Sequence, residues 1–264
     1  MTPAAAADVD GWFLWTMAFF FGASLGSFLN VCIYRLPRRE SLLWPGSRCT
    51  SCGRALSWFE NVPILGWIAL GGRCRTCRAH VSWMYPAVET ITALTFLSAF
   101  LLYGLTPLAA VRVLFACALI VLFVTDLQHK ILPNVITLPG IVVGFICSLF
   151  LPPGWRDSLI GIVVGGGVLF AIAETYYRVR GEEGLGMGDV KLLGMIGAFL
   201  GWKLVLLTLV LASFTGSVFG VALITSGRGN MKYALPFGTF LAVGALVASI
   251  WGTPIVDWYF GFYA

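Results

Sequence analysis

Two sets of residues in this sequence carry chemistry that an apolar chain rarely keeps without a use. The first is four thiols in two CxxC pairs, Cys49 with Cys52 and Cys74 with Cys77, separated by the stretch from Gly53 to Arg73. Each pair can form a knuckle, and the intervening loop lets both converge on one tetrahedral ion, which makes a four-thiolate Zn²⁺ site the expected reading. With four protein ligands such an ion has no open position, so its expected work is to fold the segment. The second set is two carboxylates placed where apolar runs meet polar loops. Asp126 precedes His129, Lys130, Leu132, Pro133 and Asn134, and Asp189 closes a glycine-rich stretch containing Gly184, Gly186 and Gly188, followed by Val190, Lys191 and Leu192. Two carboxylates sharing one proton can hydrolyse an amide without a nucleophilic Ser or Cys: one takes a proton from water while the other protonates the carbonyl oxygen.

Plainer readings exist for each. Disulfides would suit the cysteines in an oxidising compartment, and a redox relay would need a βαβ setting that the sequence lacks. Asp126 could be a solvated carboxylate paired with Lys130 four residues on. Asp189 could simply cap the helix that follows it. Capping does not account for the three glycines, which let a backbone approach something closely. Glu89, shortly after Pro86, suits the first turn of a helix, and Glu174 with Arg178 reads as an i,i+4 pair.

The elements that must hold these residues are membrane helices. The chain is 59% hydrophobic and 11% charged, with mean hydropathy +0.89, which fits about eight apolar segments of ~20 residues. The fold class expected is an all-α polytopic membrane protein of about eight transmembrane helices with a small cytoplasmic zinc-binding insert. The spans fall near Gly11 to Tyr34, Pro86 to Tyr103, Pro107 to Thr125, Asn134 to Phe150, Ser158 to Tyr177, Val190 to Leu200, Leu204 to Thr225 and Ala234 to Trp251. Gly22, Gly26 and Ser27 give the first a face of small residues for close helix contact. It lacks a basic leader region and a clear cleavage site, and reads as a retained helix. The organisation expected is a first transmembrane helix at 11–34, a cytoplasmic four-cysteine insert at 35–84 and a transmembrane catalytic core at 85–264.

Apart from Arg112, Arg156 and Lys203, the Lys and Arg residues lie in loops on one side of these spans. That side is expected to be cytoplasmic, with both termini periplasmic and the cysteine insert inside. The net charge of +5 is therefore topology information and does not point to nucleic acid. Alternation of spans brings Asp126 and Asp189 to the same cytoplasmic depth. A proton-relaying transporter would need polar groups at the bilayer midplane, which these spans lack, and a scaffold built on a zinc knuckle would need no glycine-aspartate loop.

Five stretches together carry a resemblance: Gly26 to Pro37; the paired CxxC insert; Tyr85, Pro86, Ala87, Val88 and Glu89; Asp126 with Leu132, Pro133 and Asn134; and Gly186 to Leu192. In this order the chain resembles the type IV prepilin peptidases, bifunctional leader peptidases and N-methyltransferases among the GxGD intramembrane aspartic proteases. The resemblance implies cleavage of the leader from type IV prepilins and from type II secretion pseudopilins at the cytoplasmic face of the bacterial inner membrane. It further implies N-methylation of the new N-terminal residue with S-adenosylmethionine as methyl donor. On this likeness Asp126 and Asp189 are catalytic, Gly186, Gly188 and Lys191 support the motif, and the cysteine insert serves the methylation half. Gly72 matches a glycine linked to methylation, and Glu89 is a further candidate for the cofactor. The expected partners are prepilin substrates and membrane lipids.

Overall fold

A chain crossing hydrocarbon must satisfy every backbone N–H and C=O within itself, which leaves helices as the solution for apolar runs such as these. The computed structural model describes residues 10–181, 186–227 and 235–261, and among them the regular elements are helical. They are α1 (Asp10–Arg35), α2 (Leu65–Ala69), α3 (Met84–Tyr103), α4 (Pro107–His129), α5 (Asn134–Ser148), α6 (Trp155–Arg180), α7 (Met187–Leu200), α8 (Trp202–Thr225) and α9 (Phe237–Gly261). Gly184, Arg228, Lys232 and Ala234, used in the sequence reading, lie outside the described residues.

Six of these helices, α1, α3, α4, α6, α8 and α9, are long and apolar enough to cross a membrane. Two more of the expected spans are shorter: α5 has 15 residues and α7 has 14. At ~1.5 Å per residue the latter reaches about 21 Å, short of a ~30 Å hydrocarbon layer. Helix ends also move. The third expected span continues through Asp126 to His129, closed by Lys130 in the left-handed region at φ 54. The sixth begins at Met187, so Gly186 holds the N-cap position and Asp189 lies inside the first turn.

The chain divides into two compact units, with the boundary between Val121 and Leu122 inside α4. In the first, α1 packs along α3. Small residues allow it: a Cβ on Gly22 would stand 2.8 Å from the Ala93 Cα, and one on Gly26 would stand 2.7 Å from the Glu89 Cα. This is the small-xxx-small contact that substitutes for hydrophobic driving force between helices in lipid. Between α1 and α3 runs the cysteine segment, with α2, a single 3-10 turn at Trp58–Asn61 and two isolated antiparallel bridges, Arg48 with Ala55 and Arg73 with His80.

The second unit is built around α7. Every residue from Leu192 to Leu200 is buried, with α5, α6, α8 and α9 against it. A helix apolar on all faces belongs inside a bundle, and its short length follows from that position. Its closest neighbour is α6: a Cβ on Gly197 would collide with the Gly161 carbonyl oxygen, and one on Gly165 would come within 2.6 Å of the Leu193 carbonyl oxygen. Outward-facing Val210, Phe214 and Val221 of α8 are exposed, as lipid-facing side chains would be.

This backbone-to-backbone crossing makes a prediction. Gly197→Ala should cost about 1–3 kcal/mol through overpacking and lower the thermal midpoint of the detergent-solubilised protein. Gly167→Ala, on the open face of α6 where an added Cβ meets nothing within 4 Å, should leave it unchanged or slightly raised.

Candidate functional site

Asp126 sits in the last turn of α4 and is 5% exposed. A buried carboxylate needs donors, and they come from the first turn of α9. The Thr239 backbone N–H donates to Asp126 Oδ2 at 2.7 Å and the Thr239 hydroxyl donates to the same oxygen at 3.0 Å. The free N–H groups of a helix N-terminus are natural partners for an anion, so α9 receives the charge that the end of α4 presents. Asp189, half-buried in the first turn of α7, is close enough to Asp126 for the charge of one carboxylate to act on the other. Two helix N-termini thus attend the pair, α9 toward Asp126 and α7 carrying Asp189.

The surrounding motif residues set this approach. The Leu132 side chain lies against both glycines of the site: an added Cβ would come within 3.1 Å of it at Gly188 and within 2.9 Å at Gly238. A Cβ on Gly238 would also stand 3.0 Å from Asp126 Oδ2. Gly186 has more room, with Asp189 Oδ2 at 3.5 Å from its would-be Cβ. Lys191 donates to Asn134 Oδ1 at 3.0 Å, tying the start of α7 to the start of α5. Asp126, Asp189, Gly186 and Gly188 therefore share one region of the second unit, with Lys191 on the same helix as Asp189. Gly238 and Thr239 are additions the sequence reading misses. The available signal is the Gly-Thr step just after Pro236 at the entry to the last helix.

The four cysteines converge. A tetrahedral thiolate site with metal–sulfur bonds of about 2.3 Å has sulfurs about 3.8 Å apart. Here all four Sγ atoms lie within 4.8 Å of one another, and Cys49 Sγ to Cys77 Sγ is 3.8 Å. Such a donor set fits a soft divalent cation. The two knuckles repeat the same geometry. Gly53 N–H donates to the Cys49 carbonyl at 2.9 Å, and Arg78 N–H donates to the Cys74 carbonyl at 3.0 Å. Both residues take the left-handed conformation, at φ 72 and φ 57, the second at a cost that glycine avoids. Backbone N–H groups of Cys77 and Thr76 hold the Cys74 thiol down at about 6, and those of Cys52 and Ser51 lower Cys49 likewise. This predisposes both to the thiolate that a metal requires.

Beside the first knuckle, Arg54 grips Glu60 with two bonds, 3.0 and 2.7 Å, and the Ser57 N–H adds a third at 2.8 Å. The Glu60 side chain is 1% exposed. The Arg54 guanidinium, then the Ser57 N–H, hold its carboxyl at about 2.

The remaining candidates, Gly72 and Glu89, line one cavity of about 440 Å³ that lies wholly in the first unit. Gly72, at φ 64, faces the Trp67 indole, which a Cβ would approach to 2.8 Å. Glu89 is the sixth residue of α3 and not in its first turn; it is buried and accepts the Ile64 N–H at 2.7 Å.

Comparison with known proteins gives two family matches along the chain. Residues 20–103 match the bacterial peptidase A24 N-terminal domain, and residues 113–221 match the type IV leader peptidase family. The chain is similar to the prepilin leader peptidase/N-methyltransferase of Aeromonas salmonicida (strain A449), 36% identical over 280 residues and covering 94% of each chain. The protein of that name from Pseudomonas putida is 36% identical over 267 residues, 91% of each chain. Another, from Myxococcus xanthus (strain DK1622), is 38% identical over 236 residues, 88% of this chain and 70% of the relative. No solved structure matches the chain.

Two outcomes are expected of the cysteine segment. Reconstitution with Co²⁺ should produce the charge-transfer absorption of a four-thiolate ion at about one per chain, and Cys77→Ser should abolish it. An ion bound as strongly without the thiol would refute the shared site. The Glu60 carboxyl has a folded value below its ordinary 4.5, so its contribution is present above that value and lost as the pH falls toward about 2. The gap in thermal midpoint between wild type and Glu60→Gln should therefore be full at pH 6 and close progressively in acid.

Proposed function

The chain belongs to the type IV leader peptidase family, and from that premise we propose that it cuts the leader from type IV prepilins and type II secretion pseudopilins and N-methylates the residue exposed. The observation that carries the reading is the pairing of Asp126 with Asp189, two carboxylates from separate helices with one held by the first turn of a third. Thr239 engages Oδ2 of Asp126, so Oδ1 is the oxygen that faces the reaction. The two carboxylates act as a unit sharing one proton. The ionised member removes a proton from water as the oxygen attacks the scissile carbonyl. The protonated member gives its proton to the carbonyl oxygen, and the leaving amine is protonated as the intermediate collapses. Gly186, Gly188 and Lys191 act by position: the glycines admit Leu132, and Lys191 fixes the entry of α7.

Six membrane-length helices make this a multi-pass membrane protein, which we place in the bacterial inner membrane. On our reading both termini are periplasmic, and the four-cysteine segment and the aspartate pair lie on the cytoplasmic side, where the basic loops collect. We take the organisation to be 11–34 for the first transmembrane helix, 35–84 for the insert and 85–264 for the peptidase core. Cys49, Cys52, Cys74 and Cys77 would hold Zn²⁺ as a closed structural ion. S-adenosylmethionine would supply an electrophilic methyl group to the freed α-amine, and we assign Gly72 and Glu89 to that half.

The test is incubation of the purified protein with a prepilin peptide and S-adenosylmethionine, read by mass. Wild type should remove the leader and add one methyl group. Asp126→Asn and Asp189→Asn should each reduce cleavage to background while metal content stays normal; cleavage retained in either would refute the pair. Thr239→Val should lower kcat about tenfold or more with little change in KM, as expected for losing one bond to a charged group, and Thr239→Ser should restore it.

A further inference from the structure

The last residue of α1 organises a loop that takes no part in the aspartate pair. Arg35 is buried, and its guanidinium donates to the carbonyls of Ser41 at 2.8 Å, Leu42 at 3.3 Å, Pro45 at 2.6 Å and Gly46 at 3.3 Å. The Ser41 hydroxyl accepts the N–H groups of Leu43 and Trp44 at 3.3 and 3.4 Å, and Pro45 has no N–H to place. The backbone around the tip is thus turned inward and bonded. The tip side chains are not: Leu43 is 86% exposed and Trp44 79%. A loop facing water needs no such internal satisfaction, because water supplies the partners. Irregular backbone bordering lipid does need it.

The helices fix the depth of this loop. α1 is long enough to cross a membrane and ends at Arg35, so the bonds from Arg35 hold the tip at the level where hydrocarbon gives way to headgroups. Trp83, exposed at the N-cap of α3, stands at the adjoining helix end, which Asn30 of α1 ties in by donating to the Tyr85 carbonyl at 3.0 Å. Indole rings settle at headgroup level. Charge adds a sign. Arg38 and Arg39 are exposed between helix and loop, and no described carboxylate pairs with either. Arg38 is held in place over the Tyr34 ring, 4.0 Å from its centroid, with a 2.7 Å bond to the Tyr34 carbonyl. Glu40, the acid beside them, faces Arg48 at 3.9 Å. We propose that the loop from Ser41 to Gly46 is an interfacial wedge: Leu43 and Trp44 enter the boundary between headgroups and acyl chains, and Arg38 and Arg39 bind the phosphates of anionic phospholipid beside it. On the topology proposed above this is the cytoplasmic leaflet. The cysteine segment follows directly, so the wedge moors it to the membrane surface.

Fluorescence of the full chain reconstituted in vesicles of phosphatidylcholine and phosphatidylglycerol tests the wedge. The chain has ten tryptophans, so the Trp44 signal is the difference between wild type and Trp44→Phe. Leu43→Trp adds a second reporter at the same tip, and either variant decides if the other does not fold, as thermal midpoint and metal content report. The tip signal should be quenched by lipids brominated near the glycerol end of their acyl chains and shielded from acrylamide in the water. At equal mole fraction, brominated phosphatidylglycerol should quench it about twofold or more above brominated phosphatidylcholine, and Arg38→Gln with Arg39→Gln should remove that preference. A tip open to acrylamide and untouched by brominated lipid overturns the wedge. A tip shielded from both quenchers is covered by protein and overturns it equally. Equal quenching by the two lipids in the wild type, or a preference that survives loss of both arginines, overturns the phosphate contact.

Discussion

A carboxylate inside an apolar bundle persists only if backbone donors are brought to it, and in this protein the bond from Thr239 to Asp126 meets that demand. It joins the end of α4 to the beginning of α9, elements far apart in the chain, and much else in the second unit follows from it. Gly238 must lack a side chain because the carboxylate stands where one would be. Leu132 must fold back over the same spot, and its position in turn excludes a side chain at Gly188, one residue from the partner carboxylate.

The first unit solves a related problem differently. There the charged groups gather around the cysteine segment. The thiols, the Arg54–Glu60 pair and the guanidinium of Arg35 hold together a loop whose described regular structure is one short helix, one 3-10 turn and two isolated bridges. Gly22 and Gly26 supply the complementary constraint, pressing α1 on α3 so that Asn30 and Glu89 share one wall.

What the sequence makes legible is what is locally expensive. Four cysteines in two knuckles and two aspartates at the rims of apolar runs are costly residues in short, recognisable patterns, and the structure gathers each set. The α1–α3 contact could likewise be read from Gly22 and Gly26, although Ser27 faces the cavity instead. Thr239 was not legible, because a threonine at a helix entry is common and its bond to Asp126 spans 113 positions. The shortness of the sixth span left it open to being tilted, partly buried or merged with the seventh, and the choice was hidden for a related reason: apolar composition does not distinguish a helix wrapped by protein from one wrapped by lipid. Helix ends shifted where backbone geometry, such as the left-handed Lys130, sets the stop in place of composition.

The crossing of α6 and α7 through Gly161, Gly165 and Gly197 has a mechanical consequence. Contacts between side chains can yield by rotamer changes, whereas contacts between backbones have no such compliance. Asp189 stands at the end of the helix held in this way, so its location is settled when the protein assembles. A bound peptide helix therefore meets Asp189 at a position the fold has already set.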